Sequence, residues 1–128
     1  MSIDFKSTKG IFLQIAENIC RQILEGALKA GDRVPSVRDL AADFEVNRNT
    51  VLRTYALLEE MGVFENRRGV GFFVSDKAAK IIQASERREF FSNDLPEFIQ
   101  KVKLLKLTED DLSELITVLN NNKTYESK

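Results

Sequence analysis

Several hydrogen-bonding side chains crowd the start of a predicted helix in the stretch EVNRNTVLRTY, residues 45–55. The first turn of that helix would carry Asn47, Arg48, Asn49 and Thr50. Arg53 follows one turn later and would share their exposed face. Arginine can donate two parallel hydrogen bonds to a guanine edge, and asparagine can pair an adenine edge in the same way. Threonine can contact a phosphate or a thymine methyl group. These types and spacings indicate recognition of bases and phosphates at a helix N-terminus.

The composition excludes several other kinds of chemistry. The chain has no histidine and a single cysteine, Cys20, so it lacks the usual nitrogen and sulfur ligands of a transition-metal site. Histidine-based acid–base or triad catalysis is excluded as well. The 20 aspartates and glutamates are scattered over predicted helix faces, where carboxylates are usually solvated. We therefore expect no enzyme activity, no cofactor and no metal, and we expect Cys20 to fill space on an apolar helix face.

Length and patterning favour a small protein of the cytoplasm. The 128 residues suit one domain with an appendage, and 43% hydrophobic with 30% charged residues is an ordinary globular balance. No apolar run approaches about 18 residues, and the N-terminus lacks the pattern of a signal peptide. The net charge is −1, so local charge, and not the total, must attract a polyanion.

Two short helices with a tight connection surround the polar cluster. After an amphipathic helix over about residues 10–26, a helix is predicted over 36–44, with Ser36 as N-cap and Asp39 three residues later. Asn47 is the next N-cap, and the second helix runs to about Met61 before Gly62 closes it. The first of the two short helices is expected to turn Val37, Leu40, Ala41 and Phe44 inward. The second is expected to bury some combination of Val51, Leu52, Tyr55, Leu58 and Met61. This arrangement is a helix-turn-helix signature.

A β-hairpin is predicted directly after the second helix. Strand-forming residues flank the tip NRRGVG, whose glycines permit positive φ angles. Arg67 and Arg68 could enter a minor groove or clamp phosphates, while Gly69 and Gly71 let the backbone come close. A helix-turn-helix followed by such a hairpin is a winged helix.

The remaining residues, 76–128, read as helical. Asp94 and Pro96 mark the start of a new helix, and Thr108 with Asp111 marks another.

The aromatic residues Phe90, Phe91 and Phe98 leave two interpretations open, either a pocket for a small-molecule effector or a helix core and dimer interface. The predicted fold is mainly α with a small β-hairpin. It comprises a winged helix-turn-helix domain over 1–75 and a short all-α tail over 76–128.

The stretch GDRVPSVRDLAADFEVNRNTVLRTYALLEEMGVFENRRGVGFFV closely resembles the GntR family of bacterial transcription regulators. The shared pattern is Gly-Asp, Pro-Ser-x-Arg-x-Leu-Ala, Val-Asn-Arg-Asn-Thr-Val, Leu-Glu-x-x-Gly and Arg-Arg-Gly-x-Gly-x-x-Val, and the resemblance spans about residues 10–75. It implies binding to double-stranded operator DNA, with Arg38 at the position of a DNA-contacting arginine. Ser36 either contacts a phosphate or only caps its helix.

The short tail is similar to that of the YtrA subfamily, which uses two or three helices chiefly for dimerisation. The resemblance implies a homodimer paired through residues 76–121. Two-fold protein symmetry then implies an inverted-repeat operator, and we expect a repressor of transcription.

Structural alternatives exist for most of the site residues. Asn47 could serve only as a cap, and Arg53 could pair with Glu60 or Asp43. Arg67 and Arg68 could form a solvated turn. A rival function is a winged-helix module that binds proteins and not DNA, which the acidic overall charge permits.

Three positions depart from the family pattern. Glu45 stands where the family usually has glycine, and a left-handed conformation there costs on the order of 1 kcal/mol. Val70 takes a position often filled by a polar or basic residue, and Phe72 replaces the usual threonine. We therefore expect weaker phosphate binding by the wing or an apolar contact from it.

Overall fold

The computed structural model describes residues 10–121, which form two compact units. The first unit ends at Glu86 and the second begins at Arg87. The boundary predicted at residue 75 lies too early, because Ala78 and Ile82 of the following helix are buried in the core of the first unit. The stretches 1–9 and 122–128 of the two predicted domains lie outside the described residues.

Within residues 10–121, three helices precede the hairpin: α1 (Ile11–Leu24), α2 (Val37–Phe44) and α3 (Arg48–Met61). Helix α1 is amphipathic because apolar residues recur every three to four positions, and it buries one face made of Ile15, Ala16, Ile19 and Ile23. Cys20 is half-buried beside this face. Burial, together with the nearby carboxylates of Glu86 and Glu17, raises the pKa of its thiol to about 11. The thiol therefore stays protonated at neutral pH, as suits a residue that fills space.

Helix α3 contacts the core through one stripe of fully buried side chains, Val51, Thr54, Tyr55 and Leu58. These residues follow the i, i+3, i+4, i+7 spacing that defines a single helix face. The prediction that Leu52 joins the core is wrong: Leu52 falls outside this stripe and is 51% exposed. Phe44, also expected to turn inward, stands at the last position of α2 and remains 37% exposed.

Two buried hydroxyl groups join α3 to its neighbours. The Thr54 hydroxyl lies 3.0 Å from the carbonyl oxygen of Phe12 in α1 and 3.0 Å from that of Thr50. The Tyr55 hydroxyl donates a 2.7 Å hydrogen bond to the carbonyl oxygen of Pro35, and burial raises the pKa of Tyr55 to about 12. Both hydroxyls are therefore satisfied inside the core, where an unpaired polar group would be costly.

The wing is an antiparallel hairpin of β1 (Phe64–Arg67) and β2 (Gly71–Val74). The other edge of β2 carries the extended segment 31–34. Its bonds include Gly31 N–H to Val74 O at 2.8 Å and Val34 N–H to Phe72 O at 2.9 Å. No strand was predicted for this segment from the sequence. Its pairing gives the hairpin a third strand-like segment and protects one edge.

The connection between α2 and α3 contains the predicted left-handed residue. Glu45 has φ 56° and ψ 49°, so the expectation that a non-glycine residue adopts this conformation is confirmed. Its N–H bonds to Ala42 O, and the N–H of Val46 reaches back to Ala41 O at 3.0 Å. This paired closure satisfies the last carbonyls of α2 and turns the chain into α3 within three residues.

Helix α4 (Ala78–Glu89) is followed by a π-helical segment (Phe90–Asp94), α5 (Leu95–Leu104) and α6 (Glu109–Asn120). An α-helix begins at Leu95, as predicted near Asp94 and Pro96, but the chain does not break there, because Glu89, Asp94 and Leu95 all keep right-handed helical backbone. Pro96 has no N–H and its ring crowds the preceding turn. The helix accommodates it by widening, with the Leu95 N–H bonding to Phe90 O five residues back.

The predicted cap of the last helix is confirmed. The Thr108 hydroxyl accepts from the Asp111 N–H at 3.2 Å, and the Asp111 carboxylate accepts from the Thr108 N–H at 2.9 Å. None of the helices within residues 10–121 is both long and apolar enough to cross a membrane.

The backbone conformation of Glu45 yields a stability prediction. Replacing Glu45 with glycine relieves the left-handed strain, and the greater freedom of glycine in the unfolded chain offsets part of the gain. We expect the free energy of unfolding to rise by about 0.5–1 kcal/mol, measured by urea denaturation. Glu45→Ala is the matched control, since it removes the same charge but keeps the strain. An equal gain in both variants would assign the effect to charge.

Candidate nucleic-acid interface

The start of α3 is closed by Asn47. Its side-chain oxygen accepts from the Asn49 N–H at 2.7 Å, and its carbonyl accepts from the Thr50 N–H at 3.0 Å. The predicted capping role of Asn47 is therefore confirmed. Capping also uses most of the free N–H groups expected to attract phosphate. Within residues 10–121, the Arg48 N–H is the first-turn donor left without an acceptor. Side chains must accordingly supply most of the binding at this helix end.

Arg48 and Asn49 project into solvent from the first turn of α3. In the part of the chain that the structure describes, neither side chain has a hydrogen-bond or ion-pair partner. Both are free to present their full set of donors and acceptors to a base edge. Thr50 is half-buried, and its carbonyl oxygen lies 3.0 Å from the Thr54 hydroxyl, so less of this residue is available to a ligand.

Arg53 takes a partner that the sequence analysis did not foresee. Its guanidinium carbon lies 3.9 Å from the centre of the Phe12 ring in α1. The alternative ion pair with Glu60 or Asp43 does not form among the described residues. The signal for this contact was weak in sequence, because Phe12 is 41 positions away and reads as one more apolar residue of α1.

The start of α2 carries a second exposed arginine. Ser36 is the N-cap, and its hydroxyl accepts from the Asp39 N–H at 3.1 Å, so the capping role is confirmed. Arg38 lies exposed in the first turn and has no partner among residues 10–121. Because Ser36 is exposed and its own hydroxyl proton is not used by the cap, a phosphate contact from it stays a prediction.

The two wing arginines differ in their surroundings. The Arg67 guanidinium carbon lies 4.0 Å from the centre of the Phe73 ring, and one of its nitrogens is 3.5 Å from a Glu65 carboxylate oxygen. Glu65 and Phe73 are cross-strand partners, so this contact lies along the hairpin face. Arg68, at the tip, is exposed and has no such contact with any described residue. Arg68 therefore lies in a solvated turn, which was one of the two alternatives. Arg67 instead contacts Phe73 and Glu65 of the hairpin.

The glycines of the wing adopt positive φ angles, as predicted: 77° at Gly69 and 134° at Gly71. A Cβ at Gly71 would lie 3.2 Å from Nε of Arg33, so the guanidinium of Arg33 packs over the glycine backbone. Sequence reasoning missed Arg33, which is exposed and pairs with Phe73 through its backbone. Recognising the segment 31–34 as a strand would have placed this cation beside the wing.

The second unit was expected to offer either an aromatic pocket or an interface. Phe90, Phe91 and Phe98 are 46%, 53% and 43% exposed, and the first two rings meet edge to face with their centres 5.2 Å apart. Such exposure within one chain does not form a closed pocket. Across residues 10–121, no group of three or more potential ligands among Cys, Asp and Glu could hold a metal ion.

Comparisons with known proteins agree with one another. Residues 12–74 match the family of "Bacterial regulatory proteins, gntR family". The chain is 37% identical over 116 residues to the HTH-type transcriptional regulator YhcF of Bacillus subtilis, covering 89% of this chain and 93% of that protein. It is 40% identical over 78 residues to the HTH-type transcriptional repressor YtrA of the same organism, covering 61% and 60% respectively.

A solved structure shows the same architecture. The GntR-family transcriptional regulator of Bacteroides thetaiotaomicron superposes with a TM-score of 0.70 at 32% identity, covering 89% of this chain and 99% of that one. The similarity therefore extends beyond the winged helix into the helical tail.

The wing geometry predicts unequal roles for its two arginines. Arg68→Ala should weaken DNA binding and lower the slope of log K against log salt by about 1, because one phosphate contact is lost. The matched control is the double variant Glu65→Ala Arg67→Ala, which keeps the net charge and removes the internally paired arginine. We expect its slope to match that of the unmodified chain in fluorescence-anisotropy titrations. Equal losses in both variants would contradict this division.

Proposed function

Since the chain belongs to the GntR family of bacterial regulatory proteins and is a DNA-binding transcriptional regulator, we propose that it is a homodimeric repressor that reads an inverted-repeat operator. One observation carries this proposal. Arg38, Arg48 and Arg68 stand on three successive elements, α2, α3 and the wing, exposed and without a partner among residues 10–121. Unpaired arginines on a surface of a nearly neutral domain favour a polyanion as the ligand. Family membership favours DNA over the protein-binding alternative.

The exposed side chains divide by the chemistry they offer. Arg48 and Asn49 are unpaired at the N-terminus of α3, the part of a helix-turn-helix that enters the major groove, so we assign them to base edges. Arg53, Arg38 and Ser36 are assigned to the phosphate backbone. Thr50, half-buried, has room only for a phosphate or thymine contact at the rim.

The wing would add minor-groove or phosphate contacts. Arg68 supplies the charge, and Gly69 with Gly71 allows the backbone to approach. Val70 at the tip is 51% exposed, so it offers the apolar contact expected from its departure from the family pattern. Arg67 would support the strand pair, and Glu65 offsets its charge.

A second copy of the chain is the partner proposed for the helical tail. Within the second unit, the π-helical segment, α5 and α6 bury no residue in a single chain. Its large exposed apolar side chains are Phe90, Phe91, Phe98, Ile99, Leu104, Leu105, Leu107, Leu115, Ile116 and Leu119. An apolar surface of this kind on a small unit marks a protein–protein interface. The tail to residue 121 is therefore proposed to pair two chains.

Symmetry then sets the form of the operator. A two-fold dimer presents two identical α3 helices, so it reads two half-sites of an inverted repeat, about 34 Å or a multiple of that distance apart. Repression is proposed because the similar YtrA protein of Bacillus subtilis is named a repressor. We place the protein in the cytoplasm, where a bacterial operator is accessible.

The experiment that tests this proposal is selection of bound duplexes from a random pool by the purified chain. We expect enrichment of an inverted repeat whose half-sites are related by two-fold symmetry. Enrichment of an asymmetric or single half-site would contradict the dimer, and failure to enrich any sequence would contradict sequence-specific binding.

The assignment of Arg48 leads to a specificity prediction. Arg48→Ala should sharply lower the preference for the selected duplex over a shuffled duplex of equal composition, because a bidentate base contact is worth about 1–3 kcal/mol of discrimination. Affinity for the shuffled duplex should fall much less. Competition titrations measure both quantities, and sedimentation checks that the dimer persists. An unchanged preference would contradict the assignment.

The proposed tail interface predicts the effect of a misplaced charge. Ile116→Asp puts a carboxylate among the exposed apolar residues of α6 and should shift the chain from dimer to monomer at micromolar concentration in sedimentation velocity. Thr117→Asp is the matched control, because it adds the same charge one residue along, on another face of the helix. Dissociation in both variants, or in neither, would contradict an interface through this stripe.

A further inference from the structure

The contact between Arg53 and Phe12 joins the DNA-binding helix to α1. Arg53 is exposed in the second turn of α3, and its guanidinium carbon lies 3.9 Å from the centre of the half-buried Phe12 ring. This separation is well within the range of a favourable cation–π interaction. The contact therefore limits the conformations of a long side chain that would otherwise sample many rotamers in solvent.

The backbone of Phe12 is itself hydrogen-bonded to α3. Its carbonyl oxygen lies 3.0 Å from the hydroxyl of Thr54, which is fully buried in α3. The same hydroxyl lies 3.0 Å from Thr50 O in the first turn. The backbone that carries the Phe12 ring is thus hydrogen-bonded to the helix that carries Arg53.

Stacking leaves the hydrogen-bonding groups of Arg53 available. The contact with the ring engages the positive charge of the guanidinium and pairs none of its N–H donors with an oxygen acceptor among the described residues. An ion pair with a carboxylate would use those donors and cancel the charge, and no such pair forms among residues 10–121. Arg53 is therefore held in orientation while it keeps its full charge and its N–H donors.

We propose that Phe12 is a positioning residue of the DNA interface, which holds Arg53 ready to contact a phosphate of the duplex. This inference rests on the proposed function. Its energetic basis is that binding normally requires a long side chain to be immobilised, and a side chain that is already oriented loses less entropy. Phe12 does not touch DNA in this scheme. It acts through Arg53, and its loss should affect selected and shuffled duplexes alike, because phosphates carry no sequence information.

A double-mutant cycle tests the proposal. Phe12→Leu keeps an apolar side chain but removes the aromatic face, and it should weaken binding about 2- to 5-fold. The loss should be equal on a fluorescein-labelled selected duplex and on its shuffled counterpart. In the Arg53→Ala background, Phe12→Leu should have no further effect. The matched control Phe12→Tyr keeps the ring and should restore binding to within the error of the measurement.

The outcomes separate this inference from the function on which it rests. An equal loss for Phe12→Leu with and without Arg53, or no loss at all, overturns the positioning role while DNA binding stands. If the unmodified chain binds neither duplex, the proposed function fails and the inference fails with it.

A second measurement needs no variant. In the unmodified chain bound to the selected duplex, NMR should show nuclear Overhauser contacts between the Phe12 ring protons and the δ protons of Arg53. Retention of these contacts on binding supports the proposal, and their disappearance in the complex overturns it.

Discussion

The buried side chain of Tyr55 is the interaction on which the arrangement of the DNA-facing elements depends. Its hydroxyl donates to Pro35 O, one residue before the N-cap of α2. Its ring meets Phe64 of β1 and Phe72 of β2 edge to face, each with centres 5.1 Å apart. One residue of α3 thus connects the start of α2 and both strands of the wing. Because its hydroxyl has a single acceptor to reach, the three elements have little freedom to shift separately.

The same helix must satisfy two opposed demands. Its inner stripe is fully buried and includes Thr54 and Tyr55, both of which need hydrogen-bond partners in the core. Its outer face carries polar side chains that must stay unpaired to be useful to a ligand. Asn47 and Thr50 are less available to a ligand, because the Asn47 side chain already caps the helix and Thr50 is half-buried. The side chains of Arg48 and Asn49 keep all their donors and acceptors, which is why we assign base recognition to these two residues and not to the whole first turn.

Much of this fold could be predicted from sequence because its signals are local. Caps such as Ser36 with Asp39 and Thr108 with Asp111 act over three residues, and so they can be recognised without knowing the tertiary structure. The burial predictions that failed depend on contacts between residues that are far apart in the sequence. Thr54 is buried because an acceptor 42 positions away in sequence meets its hydroxyl. Leu52 is exposed because the buried stripe of α3 passes through Thr54 instead, and helical periodicity alone does not rank a threonine above a leucine for burial.

For the site residues, too, local features could be predicted from sequence and distant contacts could not. The resemblance to a family predicted where these residues lie in the sequence. It did not predict which of their side chains have a partner, because the contacts of Arg53 with Phe12 and of Arg67 with Phe73 depend on which elements pack together. Whether an arginine is paired within the chain affects the affinity for DNA. A nearly neutral domain with few unpaired arginines makes few phosphate contacts, so one winged helix alone would bind a half-site weakly. In the proposed dimer, the second half-site is met at a high effective concentration once the first is bound, and weak half-site contacts then suffice for a tight and specific complex.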